Sequence, residues 1–142
     1  MNNDLQINPD ILAGAGLSAL VKCAVAVAVA DGSLDDPEKD AIRDVLCRLL
    51  GDAEMVESVL GPAFIEVLGA DAQGIFDQAR NMLEGEGREA CFTTAAAVAA
   101  RAGGIGVKEG LSLQSLARTL DLGYPSAKYN ELLGKGMRLA RG

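Results

Sequence analysis

Apolar residues recur at three- and four-residue spacing along most of the chain, which is the pattern of amphipathic helices. In the first such run the stripe comprises Leu17, Leu20, Val21, Ala24, Val25 and Ala28. This run predicts a helix that ends near Ala30, followed by Gly32 as the helix-ending residue. A second helix is predicted with Asp36 as its N-cap and Pro37 as its first residue, and it should end at Gly51.

The remaining sequence continues the helical pattern without a run of alternating β-branched residues. It predicts a short helix stopped by Gly61 and Pro62, an ambiguous piece after it, and a helix capped by Asp71. An Ala-rich helix ending at Gly103 and two C-terminal helices follow. We therefore expect an all-α, single-domain bundle of about six to seven helices across residues 1–142, with a flexible polar lead at 1–10.

Two segments of the chain share one plan. Residues 24–51 and 93–123 each contain an Ala/Val-rich helix, a glycine-containing turn with one aliphatic residue, and an amphipathic helix ending in glycine. This indicates a degenerate duplication of a helical hairpin. Because Ala and Val are small, the two Ala-rich helices should approach each other closely at the centre of the bundle.

Charge and composition exclude several classes of function. The net charge is −7 and there is no histidine, which removes His-dependent triads, His-ligated zinc and imidazole acid–base chemistry. Residues 1–89 carry 17 acidic and 6 basic residues, whereas 90–142 carry 3 and 7. The acidic part favours cations or basic protein partners and argues against non-specific binding of nucleic acid.

The cysteines and the N-terminal sequence favour a cytoplasmic protein. Cys23, Cys47 and Cys91 form no Cys-x-x-Cys pair and lie in apolar helical runs, so we expect reduced, inert core thiols. The first ten residues do not resemble a secretory signal. The apolar run 11–30 contains Lys22 near its centre and few large aliphatic residues, which predicts a buried helix rather than a membrane span.

Four acidic residues lie in one turn between the first two predicted helices: Asp31, Asp35, Asp36 and Glu38. Helix capping and the helix dipole account for Asp36 and Glu38, and Asp35 fits a solvated loop. Asp31 is placed against the negative end of the preceding helix, which favours a bound cation or a basic partner. Oxygen-only ligands would select Ca²⁺ or Mg²⁺, although the spacing is not that of an EF-hand. Helix capping and cation binding both remain open at this point.

The stretch 28–46, "AVADGSLDDPEKDAIRDVL", together with the hairpin duplication, resembles the TerB-like family of tellurite-resistance-associated helical domains. The resemblance covers residues 15–123. It implies a bundle of about seven helices in a non-enzymatic bacterial cytoplasmic protein linked to tellurite and other chemical stress. It also implies protein partners, among them membrane-associated stress proteins that would place the chain at the inner membrane.

Metal binding by acidic residues is a further implication of the resemblance. Asp31 and Glu38 match the family motif, and Asp35 and Asp36 stand beside them. The second hairpin departs from it, because Gly103 replaces the expected aspartate and leaves Glu109 as a distant candidate.

A competing interpretation concerns residues 113–133, which resemble a helix-turn-helix of a DNA-binding regulator. Its second helix would offer Lys128, Tyr129 and Asn130 to DNA. Two terminal helices of the bundle joined by a proline turn explain the same pattern. A nucleophile elbow, a phosphate loop and a cofactor fingerprint are all missing from the sequence, so we expect no enzyme.

Overall fold

The computed structural model describes residues 15–30, 34–124 and 126–141. Within these ranges the chain forms helices and no strand, which confirms the all-α prediction. The helices are α1 (Ala15–Ala28), α2 (Asp36–Leu50), α3 (Ala53–Leu68), α4 (Ala72–Met82), α5 (Glu86–Ala102), α6 (Val107–Thr119) and α7 (Ala127–Arg141). Short links join them, as in other helical bundles.

Helices α1 and α5 form the centre of the bundle and pack against each other more extensively than any other pair in the described chain. Every residue of α5 from Cys91 to Ala99 is buried. Helices α3 and α4 cover α1, while α2 and α7 cover α5. The prediction that the two Ala-rich helices pack closely is confirmed. The physical reason is that small side chains let neighbouring helix backbones approach.

Helix α2 begins one residue earlier than the sequence predicted. Its N-cap is Asp35, whose backbone is extended (φ −87°, ψ 174°), and not Asp36. Asp35 Oδ1 accepts the Glu38 N–H at 2.8 Å, and Glu38 Oε1 accepts the Asp35 N–H at 2.9 Å. This reciprocal capping box fixes the start of the helix. The predicted end at Gly51 is confirmed by its left-handed backbone at φ 75°.

The predicted stop at Gly61 and Pro62 is wrong, because α3 continues through both residues to Leu68. Proline removes a backbone donor and crowds the preceding turn, which disfavours but does not forbid a helix. Residues on both sides of it, Leu60, Ala63 and Phe64, are buried in the core. Their burial on one continuous face offsets the local cost. Asp71 does precede α4, but its side chain makes no capping hydrogen bond.

The two hairpins correspond in their buried positions as well as in their sequences. In α2 the most deeply buried side chains are Ile42, Val45, Leu46 and Leu49. In α6 and the residue directly after it they are Leu113, Leu116, Ala117 and Leu120. Both sets follow the same spacing, and each follows a partly buried aliphatic residue, Leu34 or Ile105. The equal register places Glu38 and Glu109 at the same position of their helices.

Candidate cation site between the two turns

The acidic turn is only partly within the described residues. Asp31, the candidate that local structure explains least, lies outside them. Asp35 and Asp36 are exposed, and Asp35 uses one carboxylate oxygen for the α2 cap. Glu38 is half-buried. The four residues of the acidic turn therefore differ in what they can offer a ligand.

Glu109 is the counterpart of Glu38 in the second hairpin. It is only 8% exposed, and its Oε1 accepts the Gly106 N–H at 3.0 Å. Each glutamate is thus the third residue of its helix and is held by the backbone N–H of its N-cap residue. The first helical turn favours a negative charge there, which keeps both carboxylates in place.

Both glutamates face one small cavity between the two turns. It has a volume of about 100 Å³ and is lined by Ala28, Glu38, Ala102, Gly103, Gly104, Gly106 and Glu109. The carboxyl ends of α1 and α5 meet the amino ends of α2 and α6 at this point. The cavity has room for several water-sized groups, since one water needs only about 10–15 Å³ of such volume.

Gly103 lines this cavity beside Glu38. A Cβ built on it would stand 3.8 Å from Glu38 Oε2, so even an alanine would fill space beside that oxygen. Oε1 of each glutamate is engaged by the backbone, and no described residue donates a hydrogen bond to Oε2 of either. Two carboxylates from opposite hairpins therefore line one small cavity, and carboxylate oxygens are ligands that suit a hard cation.

The described part of the chain supplies two carboxylates to this cavity and no more. Among the described residues, no group of three or more His, Cys, Asp or Glu side chains is placed to hold a metal ion. Sequence reasoning singled out Glu38 and set Glu109 aside as distant. The sequence signal that links the two glutamates is the duplication of the hairpin, because corresponding positions of two similar hairpins can lie close together in the bundle.

The residues of the predicted helix-turn-helix lie in different environments. Tyr129 is buried, with its ring centroid 5.3 Å from that of Phe92 and 4.5 Å from that of Tyr124. This face of α7 packs on α5, and the assignment of Tyr129 to DNA binding stays a prediction. Lys128 forms an ion pair with Glu89 at 3.3 Å, while Asn130 is exposed.

The three cysteines form no disulfide with one another, and two of them lie in the core as predicted. Cys23 and Cys91 are fully buried, whereas Cys47 is half-buried. Burial, followed by the nearby carboxylate of Glu57, raises the pKa of the Cys47 thiol. Inert thiols are expected in such surroundings.

None of the helices in the described ranges is both long and apolar enough to cross a membrane. Comparison of the chain with protein-family profiles, curated proteins and solved structures finds no match.

Proposed function

We propose that this chain is a TerB-like helical protein of the chemical-stress response, tellurite stress included, that acts as a non-catalytic interaction module. It binds Ca²⁺ or Mg²⁺ between its two hairpin turns and presents the surrounding acidic surface to protein partners. We place it in the cytoplasm, where membrane-associated stress proteins would recruit it to the inner membrane.

One observation carries this proposal: Glu38 and Glu109, from different hairpins, line the same cavity of about 100 Å³. A single acidic turn is explained by helix capping alone, since Asp35 and Glu38 satisfy each other's backbone N–H groups. Capping also holds Glu109 on the Gly106 N–H, but it does not account for two carboxylates from different hairpins that line one cavity with glycine and alanine. Two like charges at one cavity repel each other, and a divalent cation between them removes that repulsion.

The residues have different roles in this proposal. Glu38 and Glu109 each supply Oε2, while Oε1 stays on the backbone N–H groups that position the carboxylates. Asp31 supplies a third carboxylate, as the family motif implies, and water completes the coordination shell. Asp35 acts through Glu38 by fixing the first turn of α2. Asp36 is exposed beside the site and contributes charge only.

Thermal unfolding with and without the cation tests the site. Millimolar Ca²⁺ or Mg²⁺, compared with NaCl of equal ionic strength, should raise the melting temperature of the parent chain. A ligand at about 100 times its Kd stabilises a protein by roughly 2.7 kcal/mol. Glu38→Gln, Glu109→Gln and Asp31→Asn should each reduce the cation-dependent rise by more than half.

Glu84→Gln is the matched control, because Glu84 is exposed and does not line this cavity. It should keep the full rise. Equal rises in Glu84→Gln and Glu109→Gln would show that the cation acts on the general acidic surface. No rise in the parent chain at any millimolar concentration would eliminate the cation site.

A further inference from the structure

The outer face of α3 exposes large apolar side chains. Ile65 is 77% exposed and Leu68 is 60% exposed. They lie three positions apart, so they share one side of the helix. Gly61 and Pro62, one turn earlier, are exposed as well, and a Cβ on Gly61 would meet open space. We call this face, residues 61–68, the α3 strip.

The α3 strip lies on an acidic helix. Helix α3 contains three glutamates and neither lysine nor arginine. Glu54 precedes Ile65 by three helical turns, and Glu57 stands in the same relation to Leu68, so both glutamates lie on the side of the strip. Both are exposed. Arg43 pairs with Glu57, whereas Glu54 forms no ion pair with any described residue. A molecule that covers the strip must therefore offer apolar and basic groups together.

A groove of the opposite charge lies between the carboxyl ends of α5 and α7. Its volume is about 410 Å³. Four apolar residues and two arginines line most of it: Ala100, Ile105, Met137, Ala140, Arg101 and Arg141. Both arginines are exposed, and Met137 is 39% exposed. Helix α7 carries four basic residues and one acidic residue, which makes it the counterpart of α3 in charge.

We propose that the α3 strip of one copy of this chain docks in the α5–α7 groove of a second copy, so that the protein associates head to tail. Ile65 and Leu68 then enter the apolar groove, and the glutamates of α3 approach its arginines. Two α3 strips in mutual contact would instead place glutamate against glutamate, which is unfavourable.

The positions of the two surfaces make the association open-ended. Helix α3 packs on α1, whereas α7 packs on α5. A copy whose α3 strip is docked therefore keeps its own groove for the next copy, which is the property of a heterologous interface. One helix face in one groove is smaller than the roughly 1,200–2,000 Å² of a stable complex. We therefore expect weak association that increases with protein concentration.

This association is independent of the proposed cation site, because neither Glu38 nor Glu109 lines the groove or belongs to the α3 strip. The experiment is sedimentation equilibrium of the full chain in EDTA at low salt, which removes divalent cations from the result. The average mass of the parent should rise above the 14.7 kDa of one chain as its concentration approaches about 1 mM, the range of weak complexes.

One lysine substitution in each surface tests the contact. Ile65→Lys and Met137→Lys should each weaken association at least about tenfold, because each loses apolar burial and brings an ammonium group into the groove. Met82→Lys is the matched control, since Met82 is 50% exposed on α4 and belongs to neither surface. It adds the same charge and should associate like the parent. Met137→Gln replaces Met137→Lys if circular dichroism shows that the lysine variant does not fold.

A mixture of the two variants tests the head-to-tail arrangement. Ile65→Lys keeps an intact groove, and Met137→Lys keeps an intact α3 strip. Neither should associate alone at concentrations where the parent does, but together they should form a 1:1 complex and nothing larger. A parent chain that stays monomeric at about 1 mM overturns the proposal and leaves the α3 strip to a different protein. Equal weakening by Met82→Lys, or a mixture without the 1:1 complex, overturns it as well.

Discussion

The closest approach between two helices at a described glycine occurs where α7 crosses α5, and it predicts a large effect for Gly136→Ala. A Cβ on Gly136 would lie 2.6 Å from Ala96 Cβ, 2.8 Å from the Thr93 carbonyl oxygen and 3.2 Å from the Ala97 nitrogen. Carbon atoms in contact are normally about 3.5–4.0 Å apart. All three neighbours belong to backbone or to a Cβ, so no rotamer change relieves the overlap. Helix α7 must move away from α5 by about 1 Å.

The cost of that movement outweighs the gain in helix propensity. Overpacking a filled core costs about 1–3 kcal/mol, and rigid neighbours on both sides favour the upper value. Alanine instead of glycine within a helix returns about 1 kcal/mol. We therefore expect Gly136→Ala to lower the free energy of unfolding by about 2 kcal/mol. In a domain of this size the melting temperature should fall by roughly 4–8 °C.

Gly134→Ala provides the matched control in the same helix. A Cβ on Gly134 would meet only the end of the flexible Arg138 side chain, at 3.5 Å. The propensity gain should then act alone and stabilise the chain by roughly 0.5–1 kcal/mol. Urea unfolding followed by far-UV circular dichroism measures both variants against the parent, with the m-value as a check on two-state behaviour. A Gly136→Ala chain as stable as the Gly134→Ala chain would refute the packing argument.

Two further predictions concern the start of α2 and the burial of α7. Asp35→Ala should lower the free energy of unfolding by about 1 kcal/mol through the lost cap, whereas Asp36→Ala should lower it by about 0.3 kcal/mol. If urea unfolding gives the reverse order, Asp36 is the N-cap. Burial, followed by the nearby Tyr124, raises the pKa of Tyr129 above its ordinary value of 10.0. Above pH 10 the unfolded chain therefore loses this proton before the folded chain does, and stability falls as pH rises. Tyr129→Phe should keep the stability near neutral pH and make the alkaline fall smaller; an unchanged alkaline profile would contradict this assignment.

Much of the fold follows from the sequence alone. Apolar spacing located the α1 and α2 faces, and the backbone freedom of glycine marked the end of α2 at Gly51. The two Ala/Val-rich runs identified the central helices, because small side chains on every face of a helix are compatible only with close packing on several sides. These features depend on a few neighbouring residues, which is why local patterns determine them.

Tertiary contacts decided the remainder. Proline at position 62 is a local stop signal, but burial of Leu60 and Phe64 on one face continues α3 across it. Tyr129 follows a turn like a recognition-helix residue, yet the ring of Phe92, 37 positions earlier, places it in the core.

The same division applies to the residues with chemistry. The sequence by itself supplied an acidic turn and a duplicated hairpin, but it did not show that Glu38 and Glu109 would face one cavity. The cavity lies where the carboxyl ends of α1 and α5 meet the amino ends of α2 and α6. Bringing together residues about 70 positions apart depends on the packing of whole helices rather than on any local preference.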